Sequence, residues 1–306
     1  MTIPRQRRSA SNTTDIPGLL RCLLADVGLP AAFAREPLRV WPHSRVERLR
    51  FPGRASVVFK YADAPFDCEH LVLRLAARYG LPVPHVQAAR AEPGVLAMLM
   101  DDLGEPVREA DDYDGAGAAV RLHEVGGAVW LSRVTAAGLA ALPHRVGVRL
   151  SRLGLPGVAS LVRTLDGAAA SRADGAELPP FGLCHTGYHP TALHIGEGGW
   201  HLLDFSRAFT GPGLLDLASW HGTLAAPAPA RTLGLIESYV AAGGPRQALA
   251  ARGGLDAASW ALGWHRVLVA DWFAQQIERG WVDGADDMWT SAIIRHLTAA
   301  ATLLKV

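Results

Sequence analysis

The residues able to do chemistry concentrate in one stretch, His185-Thr186-Gly187-Tyr188-His189-Pro190-Thr191-Ala192-Leu193-His194-Ile195, followed by Leu202-Leu203-Asp204-Phe205. Three histidines, a tyrosine and a proline crowd together between two short apolar runs. A polar loop set against buried strands is the usual form of a site carried on a scaffold. Imidazoles titrate near neutrality and can hold or move a proton. The carboxylate of Asp204 ends a strand, where it either ligates a hard cation or caps the corner. Upstream, Lys60 follows Val57-Val58-Phe59, and Glu69 lies in the first turn of an expected helix. Lys60 is either a strand-end lysine in water or an ammonium held by Glu69 to grip a phosphate as a point charge.

The elements that would carry these groups can be read in order. Residues 1–14 are polar and are expected to be a disordered tail. Ile16 to Val27 has helical spacing. Leu38–Trp41, Val46–Phe51 and Ser56–Tyr61 read as three strands of an antiparallel meander. Phe66 to Tyr79 reads as an amphipathic helix, stopped by Gly80-Leu81-Pro82-Val83-Pro84. Val95–Met100 is a buried strand running into the acidic turn Asp101-Asp102-Leu103-Gly104, either a hinge or a surface turn. From about residue 113 the pattern is helical: 117–125, 136–153, 155–165, 214–221, 230–242, 247–252, 256–279 and 286–304. The strands Phe181–Cys184 and Trp200–Phe205 interrupt it on either side of the histidine loop. Trp260, Trp264, Trp272 and Trp281 recur at roughly helical spacing and read as core packing before a substrate cage.

Composition removes several classes of function. The chain has 306 residues, 49% apolar, enough for a sizeable core in two lobes. Its net charge of +1 gives no field favouring nucleic acid or an anionic membrane. The basic cluster Arg5, Arg7 and Arg8 lies in the polar tail. No apolar run of membrane-spanning length and no signal-like segment is present, so a soluble cytoplasmic protein is expected. Cys22, Cys68 and Cys184 form neither a disulfide framework nor a zinc site and are expected to be buried free thiols.

Taken together, these residues resemble the aminoglycoside phosphotransferase and choline-kinase-like family, over roughly residues 35–290. The strand lysine matches Lys60, and the helix glutamate matches Glu69 in CEHLVLRLAARYGLPVPHV. The hinge matches MLMDDLG, and the next helix matches AVRLHEV. The catalytic loop, H-G-D-x-H-P-x-N in the family, matches HTGYHPTA; the metal-binding Asp matches Asp204 in LLDF; the loop-bracing Asp matches Asp216 in GPGLLDLASW. The resemblance implies an α+β, two-lobed protein-kinase-like fold. Its small antiparallel-sheet lobe would span 15–103, and its large helical lobe 104–306, with the catalytic-type loop at 185–205. It implies ATP and magnesium as cofactors. Lys60, Glu69, Ser44, Met100 and Asp102 would serve the nucleotide, Asp204 the metal, and His185 and Asp216 the loop.

The same match exposes two departures. Gly187 stands where the family has its base, and Ala192 where it has the magnesium-binding Asn. Neither side chain accepts a proton or ligates a metal. The loop Trp41-Pro42-His43-Ser44-Arg45, which would cover the nucleotide, contains no glycine. General-base catalysis is typically worth 10²–10⁴-fold, about 3–5 kcal/mol of barrier. Phosphoryl transfer depends mostly on positioning and charge neutralisation. The expectation is a pseudokinase or weak kinase that binds ATP. One alternative is an active phosphotransferase on a small-molecule or peptide Ser/Thr hydroxyl, with His189 or the substrate as base. Another is a kinase-like component of a natural-product or modified-peptide assembly, working with a protein partner. His189 reads equally as a loop-forming residue, His194 as a structural one and Asp216 as a buried brace. The expected ligand is a small molecule or peptide in the inter-lobe cleft, with no nucleic acid and no membrane.

Overall fold

The structure, a computed structural model, describes residues 15–282 and 287–306. The expected tail at 1–14 and the first residue of the last expected helix lie outside the described residues. The chain divides into two compact units. One holds the residues up to His70 together with His85–Asp102; the other holds Leu71–Pro84 and Leu103–Val306.

In the first unit, α1 (Ile16–Asp26) starts where the Asp15 side chain accepts from the Gly18 amide at 2.9 Å. It buries Leu19, Leu20, Leu23 and Leu24. Then come β1 (Ala34–Trp41), β2 (Ser44–Arg50) and β3 (Val57–Asp63), then α2 (Glu69–Arg78), which belongs to the second unit from Leu71 on, and, again in the first unit, β4 (Val86–Glu92) and β5 (Val95–Asp101). The five strands form one antiparallel sheet in the order β1-β2-β3-β5-β4. Interior strand β5 is buried from Val95 to Met100, which is why it reads as an unbroken apolar run. Edge strand β1 is mostly exposed, and it carries Pro37 beside a register shift, as an edge permits. Helix α2 starts three residues later than its apolar pattern, because the Phe66 amide is spent in a turn on the Asp63 carbonyl, 2.9 Å away. Strand β4 had no legible signal: only Val86 and Ala88 of its seven residues are buried.

The second unit is helical. It contains α3 (Asp112–His123), α4 (Ala136–Ala140), α5 (Leu142–Arg152) and α6 (Ala159–Arg172). The strands β6 (Phe181–Cys184), β7 (Leu193–Gly196), β8 (Gly199–Leu202) and β9 (Phe209–Pro212) follow, and then α7 (Leu214–Ser219), α8 (Pro229–Ala241), α9 (Ala257–Glu278) and α10 (Asp287–Leu304). The helix expected over 136–153 is two helices, because Pro143 cannot donate within a continuous one. The strands make two small antiparallel ribbons, β6–β9 and β7–β8. Trp260 and Trp264 are fully buried on α9, and both indole N–H groups donate to the Arg172 carbonyl at 2.7 and 3.1 Å. Among the described residues no helix is long and apolar enough to cross a membrane.

The cysteines differ from expectation. Only Cys184 is buried; Cys22 and Cys68 are exposed. Cys22 falls on the outward face of α1, off its leucine stripe, and Cys68 sits in the turn before α2.

Candidate active site

Lys60 stands on β3, paired with Val46 on β2 and Met98 on β5. Its Nζ lies 2.5 Å from Glu69 Oε2, at the first residue of α2, and both side chains are buried. A buried ion pair survives its desolvation only with close geometry, and removing one partner strands the other charge. Strand and helix thus hold the ammonium in one place.

The other residues expected to serve a nucleotide stand on or beside the same sheet but differ in setting. Ser44 pairs with Trp41 across the two-residue turn Pro42-His43, a tight hairpin end. Met100 is buried between its pairing partners Val58 and Val86. The Asp102 carboxylate accepts from Arg48 Nε at 2.7 Å and Ser56 Oγ at 2.6 Å. That side chain is committed to the sheet.

In the second unit the loop at 185–192 is fixed from several directions. Asp216, fully buried on α7, accepts from the backbone amides of His185 at 2.8 Å and Thr186 at 2.9 Å. His123 on α3 brings its Nε2 to 3.5 Å from the same carboxylate. This packing is close enough to dictate glycine: a Cβ on Gly182 would meet the His123 carbonyl at 2.1 Å, and one on Gly213 would meet its ring at 2.5 Å. His185 Nδ1 accepts from the Gly187 amide at 3.3 Å, so Nε2 carries the proton and donates to the Leu203 carbonyl at 2.6 Å. Ser219 Oγ donates to the Tyr188 carbonyl at 2.9 Å, and Tyr188 Oη donates to the Gly115 carbonyl. Burial holds the Tyr188 phenol well above its ordinary range, so it remains a neutral donor.

The backbone is strained where chemistry is expected. Thr186 has φ 73° and Asp204 has φ 64°, a conformation that non-glycine residues seldom adopt. Such strain persists only when surrounding bonds over-determine it. Thr186 has two of these: its amide to Asp216 and its Oγ1 to the Arg207 carbonyl at 2.6 Å. At Asp204, the preceding Leu203 amide is tied to the Ala192 carbonyl at 2.8 Å.

What the loop encloses is sparse. A Cβ on Gly187 would touch nothing nearer than His185 Nδ1 at 3.8 Å, and Gly187 does not use the left-handed region. The position has room for a side chain and no backbone reason to be glycine. Ala192 is buried, with its amide bonded to the His189 carbonyl. His189 is half-buried; burial holds its imidazole below the ordinary value, against a hydrogen bond to the Ser219 backbone. Among the described residues no cluster of three or more His, Cys, Asp or Glu could hold a metal ion.

Two features went unread in the sequence. Arg207 lies flat over Trp272, its Cζ 3.6 Å from the ring centroid. Burial lowers its guanidinium to about 10, against the charges of Asp204 and Asp271. And a cavity of ≈ 850 Å³ joins His189, Pro190 and Thr191 to Asp111, Asp112 and Tyr113 at the start of α3, and to Trp220, His221 and Arg231. His221 and Asp112 are separated by more than a hundred residues, so no local pattern could connect them.

Comparison with known proteins agrees with this geometry. The sequence model of the Phosphotransferase enzyme family matches residues 49–256, more than half of the chain. The curated proteins give no match. Among solved structures, a choline/ethanolamine kinase family protein from Mesorhizobium loti aligns at 17% identity and TM-score 0.66, covering 94% of this chain and 95% of its own. A macrolide 2'-phosphotransferase from Brachybacterium faecium aligns at 16% identity and TM-score 0.57, covering 94% and 98%. An amicoumacin kinase, solved with AMP-PNP and Ca2+, aligns at 14% identity and TM-score 0.56, covering 92% and 93%. At these identities the likeness shows a shared fold. With the braced loop, the sheet unit and the family match in hand, the chain belongs to the phosphotransferase enzyme family and has its kinase-like fold.

Proposed function

We propose that the protein binds ATP with one magnesium ion and is a pseudokinase or weak kinase, transferring the γ-phosphoryl group slowly or not at all by the family's carboxylate route. One observation carries the reading: the loop scaffold is complete around His185, Thr186 and Asp216, yet it frames Gly187 and Ala192. A scaffold bonded this thoroughly is built to hold a site, while the two side chains that do chemistry in the family are absent.

In this reading Lys60, held by Glu69, neutralises nucleotide phosphate charge, and Asp204 supplies the protein's ligand to magnesium. Magnesium is commonly held by one or two carboxylates, substrate phosphates and waters, so a single nucleotide-borne ion fits Asp204 without a cage of three or more protein ligands. A second ion, which would need a ligand at Ala192, does not fit. The bound metal would supply charge neutralisation to the phosphates. Support for ATP comes from the family match and from the amicoumacin kinase solved with an ATP analogue. The ≈ 850 Å³ cavity beside the loop has the size of a small-molecule site, and we assign the acceptor or ligand to it.

Thermal unfolding of the full chain with ATP, with and without magnesium, tests this. At a hundred times Kd a ligand stabilises by about 2.7 kcal/mol. An upward shift that grows with magnesium and loses that growth in Asp204→Ala supports the reading. No shift at saturating ATP removes it.

A further inference from the structure

We propose that His221, oriented by Asp112, is the base that takes the acceptor's proton in the phosphoryl transfer the protein retains. The inference rests on the weak-kinase form of the reading above.

The geometry is that of a carboxylate–imidazole pair facing a cavity. Asp112 Oδ1 accepts from His221 Nε2 at 3.0 Å and from the indole N–H of Trp220 at 2.8 Å. Arg231, from α8, stands 4.0 Å from the same oxygen. With Nε2–H given to Asp112, the lone pair lies on Nδ1, which has no hydrogen-bond partner among the described residues. A base held in one tautomer by a buried or half-buried carboxylate is the arrangement that activates hydroxyls in other enzymes.

The pair is also tied to the loop. The Trp220 ring packs on Tyr188 with centroids 5.0 Å apart, and Ser219 bonds the Tyr188 carbonyl. His221 lines the same cavity as His189, Pro190 and Thr191. His189 is the weaker choice for the role, because burial holds its imidazole below the ordinary value and no hydrogen bond to a carboxylate orients its ring among the described residues. The other titratable and charged groups on the cavity are Asp111, Tyr113, His189 and Arg231. Partial burial opposes ionisation of Asp112, but the hydrogen bonds from Trp220 and His221 outweigh it and leave the carboxyl below its usual range.

The step balances without any further reagent. The acceptor oxygen bonds to the γ-phosphorus as the bond from that phosphorus to the ADP oxygen breaks. The acceptor's proton passes to His221 Nδ1, ADP leaves as an anion, and the imidazolium later releases the proton to water. With water as acceptor, the product is inorganic phosphate.

Single-turnover hydrolysis of γ-labelled ATP therefore tests the base with no knowledge of the natural acceptor. The variants are His221→Gln, which keeps a donor to Asp112 but no basic nitrogen, Gly187→Asp, and the two combined. ATP binding is measured in each by thermal shift. We expect His221→Gln to bind ATP normally and to lose at least about 10²-fold in rate, with the loss of the acid limb of the pH profile. In the Gly187→Asp background the same change costs under about threefold, because a carboxylate now takes the proton. Three results overturn the base: a His221→Gln rate within about threefold of the parent, an equal loss in both backgrounds, or hydrolysis no faster than in Asp204→Ala although ATP binds. If no variant binds ATP, the nucleotide reading itself has failed, and the base falls with it.

Discussion

Placing a carboxylate back at residue 187 should raise the rate of phosphoryl transfer substantially. The structure sets the terms. A Cβ at Gly187 meets nothing within 3.8 Å, its backbone is not left-handed, and the loop around it is already bonded through His185, Thr186 and Asp216. Gly187→Asp therefore has little steric cost and inherits a prepared frame. A positioned base contributes about 10²–10⁴-fold; because His221 serves the parent, the gain is read in the His221→Gln background, where about 10²-fold in ATP hydrolysis is the conservative expectation. That is about 2.7 kcal/mol of barrier at 1.36 kcal/mol per decade. Ala192→Asn is a harder companion, because Ala192 is buried and added atoms in a packed place cost about 1–3 kcal/mol. The single change comes first, assayed by release of labelled phosphate from ATP under single-turnover conditions, beside a denaturation curve. A Gly187→Asp, His221→Gln protein that folds as the parent does, binds ATP and hydrolyses it no faster than His221→Gln alone would refute the reasoning, since a carboxylate at 187 could then not supply the missing base.

Other expectations follow from the buried charges. Glu69→Gln leaves the Lys60 ammonium buried without its counter-charge and should cost about 3–5 kcal/mol in urea denaturation, with much of the loss recovered by adding Lys60→Met; a cost under about 1 kcal/mol contradicts the buried pair. Asp216→Asn removes the charge from two backbone hydrogen bonds, each worth about 1.5–3 kcal/mol, and should speed hydrogen exchange at the His185 and Thr186 amides before it changes exchange in α9. Stability should fall as pH drops from about 6.5 toward 4. Burial first, then Arg266, pushes His265 down to about 3, and burial and Arg266 push His296 down to about 4, whereas both titrate near 6.5 in the unfolded chain. The unfolded state thus binds more protons in that window, so stability rises with pH by up to about 1.4 kcal/mol per unit for each histidine. His296 Nδ1 also accepts from Arg266 at 3.2 Å, a bond that protonation would break. His296→Gln should flatten the slope by about one proton's worth, and an unchanged slope in that variant contradicts the assignment.

The sequence carried the Lys60–Glu69 pair and the Asp216 brace better than their surroundings, for a physical reason. Lys60, Glu69, His185, Asp204 and Asp216 sit on or beside short apolar elements whose order along the chain is the order of the fold. Their relations are local enough to read: nine residues from Lys60 to Glu69 span one strand end and one helix start. Strand β4 was illegible because alanine and polar residues make up all but its first position, and only two of its seven residues are buried. The break at Ala141 was visible in Pro143 but outweighed by the run of small apolar residues around it. The cavity was illegible for a different reason. Asp112 and His221 meet only because α3 and the end of α7 both pack on Tyr188, through Gly115 and Trp220. No periodicity encodes a contact over that separation.

The central claim is that a nucleotide site remains where the family's carboxylate base and second magnesium ligand are absent. Calorimetric titration of the full chain with ATP, with and without magnesium, measures it most directly. The account predicts saturable binding of one nucleotide, strengthened by magnesium, with Lys60→Ala weakening it in both conditions and Asp204→Ala removing only the magnesium effect. Absence of binding at millimolar ATP, or binding indifferent to both substitutions, would contradict it.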